Sequence, residues 1–80
     1  MSARVHTNRI ESVLFYDKSV ESEYGKIRAY KIIKWSRTFD DFGANWLHYQ
    51  LYLYGNKKNG YVWLVMEKKP DQLKFTYKIE

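Results

Sequence analysis

Trp46-Leu47-His48-Tyr49-Gln50-Leu51-Tyr52-Leu53-Tyr54 alternates residue by residue, and that alternation decides the fold class. In an extended chain, Leu47, Tyr49, Leu51 and Leu53 fall on one side. Trp46, His48, Gln50, Tyr52 and Tyr54 fall on the other. The stretch ends in Gly55-Asn56-Lys57-Lys58-Asn59-Gly60, a polar, glycine-bounded segment that reads as a hairpin tip carrying Lys57 and Lys58. Tyr61-Val62-Trp63-Leu64-Val65-Met66 resumes strand composition with apolar residues on both alternations, as a central strand has. Pro70, between Lys69 and Asp71, suits the second position of a type I turn. Beyond it Leu73, Phe75, Tyr77 and Ile79 alternate with Lys74, Thr76, Lys78 and Glu80. Strict period-2 alternation predicts a strand with one buried and one wet face. The predicted core is therefore Leu73, Phe75, Tyr77 and Ile79, with Leu51, Leu53, Val62 and Leu64 nearby.

Upstream the pattern is less regular. In Lys26–Thr38, Ile27, Ala29, Ile33 and Trp35 share one side, with Ile32 out of register. β-branched residues and tryptophan favour an edge strand or a strand with a bulge over a helix. Glu11–Asp17 reads as a first strand and Lys18–Gly25 as a loop, with Gly25 at a position of positive φ. Residues 1–9 read as a flexible arm. Phe39–Asn45 is a loop or one short helical turn near residues 40–46, with Asp40 or Asp41 as its cap. The expected architecture is mostly β: one domain over residues 1–80, a single antiparallel sheet of about five strands in meander-like order.

Eighty residues make one small domain. There are three Trp, eight Tyr and four Phe, too many rings for one core of this size. Some must reach the surface or an interface, where Tyr and Trp are the common contact anchors. There is no cysteine to form disulfides or a thiolate metal site. No run approaches the ~18 apolar residues of a membrane span. The polar start lacks a secretory apolar stretch, so the expected compartment is the cytoplasm, with no membrane partner.

The formal charge is +5. Residues 10–25 carry Glu11, Asp17, Glu21 and Glu23 against Lys18 alone. Residues 26–37 carry Lys26, Arg28, Lys31, Lys34 and Arg37 with no acid. A basic field favours anionic partners. Basic residues interleaved with aromatic ones are what single-stranded nucleic acid requires, because phosphates need cations and bases stack on rings at ~1–3 kcal/mol each. Tyr30, Trp46, His48, Tyr52, Tyr54 and Trp63 could supply rings. Lys26, Arg28, Lys31, Lys34, Arg37, Lys57 and Lys58 could supply charge. The competing explanation is a second core face under the rings and lysines that solubilise exposed strands. An RRM aromatic segment, a KH Gly-x-x-Gly loop and finger cysteines are all missing.

Lys26–Arg37 could also add to a partner's sheet as an edge strand, although its charge equally suits protection against such pairing. A second copy of the chain is one way to cover the rings. Metal and cofactor sites have no support, since His6 and His48 stand alone without local carboxylate spacing. Asp41-Phe42-Gly43 spells the kinase magnesium motif with none of its companion motifs. In length, lack of cysteine, Tyr and Lys richness and absence of enzyme motifs, the chain resembles small early proteins of bacteriophages. The resemblance implies a modulator of a host or defence factor and assigns no residue. The expected function is non-enzymatic: binding by occupancy to RNA, single-stranded DNA or a nucleoprotein complex. The alternative is a protein-only inhibitor that blocks a host enzyme through an aromatic face or edge strand.

Overall fold

The computed structural model describes residues 3–80. Two helices, α1 (Ala3–Leu14) and α2 (Lys18–Tyr24), precede four strands: β1 (Ile27–Phe39), β2 (Asn45–Gly55), β3 (Asn59–Lys68) and β4 (Thr76–Ile79). The strands form one antiparallel meander in the order β1-β2-β3-β4. The mostly β architecture expected from the sequence is correct.

The elements that differ lie at the two ends. Glu11–Asp17 is not a strand. Residues up to Leu14 belong to α1, where Ile10, Val13 and Leu14 are buried one helical turn apart. Spacing of three and four residues places them on one helix face, and burial of that face outweighs the weak β preference of Val and Phe. The flexible arm expected over residues 1–9 is helix from Ala3 onward, and residues 1 and 2 lie outside the described residues. Lys18–Tyr24 is not a loop. Asp17 caps α2 by accepting the Val20 N–H at 3.0 Å, and Val20 and Tyr24 are buried one turn apart. Gly25 ends the helix at φ 75°, as its position predicts.

The last strand covers only Thr76–Ile79. Leu73 is 96% exposed and Tyr77 45% exposed, while Phe75 and Ile79 are half-buried. The expected core role of Leu73, Phe75, Tyr77 and Ile79 therefore fails. The alternation itself is real, because Ile79 pairs with buried Leu64 and Tyr77 with buried Met66. However, β4 is a four-residue sheet edge, and an edge strand has sheet on one side only. The turn before it is as predicted: Pro70 follows Lys69, whose carbonyl accepts the Gln72 N–H at 3.0 Å. Residues 40–44 form a hydrogen-bonded turn rather than a helix, closed by Asp40 N–H to the Ala44 carbonyl at 3.1 Å.

The chain divides into two units. One contains the chain up to Tyr30 with Leu53–Gly60, and the other Lys31–Tyr52 with Tyr61–Glu80. In the first, Ile10, Val13, Leu14, Val20, Tyr24 and Leu53 are buried. In the second, Ala44, Leu47, Tyr49, Leu51, Val62, Leu64 and Met66 are buried. Complete burial of a Leu or Ile side chain contributes about 1.5–3 kcal/mol. Among the described residues no helix is long and apolar enough to cross a membrane.

In the first unit α2 clasps the β2–β3 hairpin tip. Asn56 N–H donates to the Lys26 carbonyl, and Asn56 Oδ1 accepts the Lys26 N–H, both at 3.0 Å. Lys57 N–H donates to the Tyr24 carbonyl at 2.9 Å. A Cβ on Gly25 would collide with Asn56 Oδ1, and one on Gly55 with the Tyr24 carbonyl oxygen. Both glycines are present because two backbones approach closely there.

Candidate nucleic-acid interface

In the second unit, β2 carries its leucines and Tyr49 inward with no exposure, while Trp46, His48, Gln50 and Tyr52 are half-buried on the opposite alternation. β3 matches this pattern: Val62, Leu64 and Met66 are buried, and Tyr61 and Trp63 are exposed. The outward face is therefore lined by rings. The Tyr52 and Tyr61 rings meet edge to face at 4.7 Å and 68°, a favourable aromatic geometry. Trp46 and His48 lie nearly parallel at 19°, their centroids 6.4 Å apart.

The β1–β2 turn orients Trp46. Asp40 Oδ2 accepts the indole N–H at 3.1 Å, while Oδ1 accepts the backbone N–H groups of Phe42 and Ala44, each at 2.9 Å. The indole bond, then these backbone donors, hold the Asp40 carboxyl below its ordinary 3.8. No local motif announces this role, since Asp40 lies six positions before the ring it holds.

Two cavities open on the same face. One of about 390 Å³ is lined by Trp46, His48, Val65, Glu67, Lys78 and Glu80 among others. The other, about 280 Å³, is lined by Lys34, Trp35, Ser36, His48 and Trp63. His48 borders both. The Lys34 ammonium lies 5.4 Å from the Trp63 ring centroid, within cation–π range. Lys31, Lys34 and Arg37 are exposed along β1. Lys78 pairs with Glu80 at 2.9 Å. Thus Lys34 brings a cation to the β1 flank of the face, Lys31 and Arg37 fall on the other alternation of the same strand, and the β4 flank carries Lys78 against Glu67 and Glu80.

Of the residues expected to bind, Lys31, Lys34, Arg37, Trp46, His48 and Tyr52 belong to this unit. Lys26, Arg28, Tyr30, Tyr54, Lys57 and Lys58 belong to the other. Several of these have internal partners. The Lys57 ammonium donates to the Ser22 carbonyl at 3.1 Å. Lys58 pairs with Glu23 at 2.7 Å and lies 5.1 Å from the Tyr24 ring centroid. The Glu23 bond raises the Lys58 pKa. Tyr30 is half-buried and donates its hydroxyl to Glu11. Lys26 and Arg28 are exposed, and Lys26 borders a separate cavity of about 410 Å³ with Leu14, Phe15, Glu21, Gly25 and Ile27. The sequence reading left out Tyr61, which the alternation with Trp63 could have supplied, and Asp40.

Among the described residues no group of three or more His, Cys, Asp or Glu side chains could hold a metal ion. Comparison with protein-family models, curated proteins and solved structures finds no match.

Proposed function

We propose that the protein is a non-enzymatic binding module that acts by occupancy on single-stranded nucleic acid, RNA or DNA, alone or within a nucleoprotein complex. The observation that carries this reading is the outward face of the second unit. Trp46, His48, Tyr52, Tyr61 and Trp63 line it, with the Lys34 ammonium over Trp63 and Lys31 and Arg37 exposed on the same edge strand. Rings give sequence-tolerant stacking and a cationic flank takes phosphates. Lys57 and Lys58 are engaged by α2, and the edge strand β1 offers the phosphates about three cations, Lys34 on this face and Lys31 and Arg37 on the other alternation. Each neutralised phosphate of a single strand contributes about −0.7 to the log–log salt slope, so the expected slope is about −2. Titration of an unstructured oligonucleotide at several salt concentrations tests it. No binding, or binding indifferent to salt, overturns it.

A second reading draws on β1. Ile33 is 47%, Trp35 48% and Phe39 66% exposed on one alternation of a sheet-edge strand. Such an edge suits strand addition to a protein partner. Capture from lysate that survives nuclease treatment and is lost in Trp35→Ser favours this alternative.

A further inference from the structure

We propose that the outward face of β2 and β3 in the second unit is a four-step ladder for an extended single strand. It takes one base each at Trp46, His48, Trp63 and the Tyr52–Tyr61 pair, with the phosphates along β1. This rests on the nucleic-acid reading above.

The register places the steps. Tyr52 meets Tyr61, and the strands are antiparallel. Counting back along β2 and forward along β3 brings Gln50 level with Trp63, His48 with Val65, and Trp46 with Glu67. The last two pairs do border one cavity. Residues on one face of a strand recur every second position, about 6.8 Å apart at ~3.4 Å per residue. Trp46, His48, the Gln50–Trp63 level and the Tyr52–Tyr61 level therefore succeed one another at that interval. It is close to the spacing of successive phosphates in an extended single strand, so each ring level can meet a new base.

The two flanks are not equivalent, which fixes the side on which the phosphates run. On the β1 flank the Lys34 ammonium already lies over Trp63. A base entering at Trp63 displaces the ammonium from the ring toward the adjoining phosphate. On the β4 flank Glu80 exchanges both backbone hydrogen bonds with Trp63 and pairs with Lys78, and Glu67 adds a second carboxylate. Phosphates on that side would meet carboxylates.

The test is a length series of oligothymidylates, from dinucleotide to octanucleotide, titrated against the wild-type protein by tryptophan fluorescence. Stacking at ~1–3 kcal/mol per base predicts a gain of roughly fivefold or more per nucleotide up to four, then only a shallow rise. Lys34→Ala should weaken tetranucleotide binding several-fold, and Lys74→Ala, at an exposed lysine that lines neither cavity, should leave it unchanged. Binding that climbs evenly through the series, or equal losses in the two variants, overturns the ladder but leaves the nucleic-acid reading intact. No binding at any length by the folded protein overturns both.

Discussion

The Tyr30 hydroxyl donates to Glu11 Oε2 at 2.7 Å, joining β1 to α1 across 19 positions of sequence. Burial, then the hydrogen bond to Glu11 and its negative charge, push the Tyr30 pKa from 10.0 up to about 12, against a smaller opposing effect of Thr7. The folded state thus holds this proton more tightly than the unfolded chain does. The stabilisation is complete below pH 10.0 and is lost as pH rises toward about 12. The slope within that window is at most about 1.4 kcal/mol per pH unit, and solvent screening at this part-exposed hydroxyl reduces it. Denaturation midpoints measured across the window should fall more steeply for wild type than for Tyr30→Phe. Parallel curves would show that the bond does not form.

Acid should act through Asp40. Its carboxyl titrates below 3.8 because it accepts the Trp46 indole N–H and the turn's backbone donors. The contribution is present above the unfolded value and lost as pH falls through the lower folded one. Asp40→Asn should remove the part of the acid-induced change in tryptophan fluorescence that comes from Trp46. An unchanged acid titration in the variant would separate Trp46 from this carboxylate.

The core prediction falls on β2 rather than on the last strand. Leu51, with no exposed surface, should cost about 2–5 kcal/mol as Leu51→Ala. Leu73→Ala, at an almost fully exposed site, should stay within about ±0.5 kcal/mol. Equal melting shifts in the two variants would show that the last strand packs more deeply than its exposure indicates.

Gly25→Ala should destabilise the first unit by about 1–3 kcal/mol, the range for a residue held in a disfavoured backbone region. Two causes combine: the positive φ and the collision with Asn56 Oδ1. Hydrogen exchange at the Asn56 and Lys57 amides should accelerate with it. Wild-type protection of those amides would mean that the clasp tolerates a side chain.

Charge reversal should distinguish the two groups of lysines. Lys31→Glu with Lys34→Glu should abolish most oligonucleotide binding at unchanged stability. Lys57→Glu with Lys58→Glu should leave binding near wild type and lower the melting temperature, because it sets like charge against Glu23. The opposite pattern would move the site to the hairpin tip.

The sheet was legible because β2 advertises it. Leucine on one alternation and Trp, His, Gln and Tyr on the other leave little freedom in register. The Lys26–Thr38 strand and the Pro70 turn were read for the same local reasons. The helices were hidden by the run Val13-Leu14-Phe15-Tyr16, where four adjacent apolar residues fit a strand as well as a helix end. Only Val13 and Leu14 are buried there, while Phe15 is 51% and Tyr16 81% exposed. Asp17 and Gly25, a cap and a stop on either side of Val20 and Tyr24, were the signal for α2. For the site, the outward rings of β2 followed from alternation. The engagement of Lys57 and Lys58 did not, because their partners lie 35 positions away.

That distance bears on how the chain folds as it is made. The carbonyls of Ser22, Tyr24 and Lys26 meet their donors only when Asn56 and Lys57 arrive. An N-terminal stretch leaving the ribosome therefore carries α2 with its closing partners still unsynthesised. Closing so long a loop is entropically costly and slow compared with helix formation. The first unit becomes complete only once the chain through Gly60 has been made, so α2 waits during translation for the hairpin that locks it.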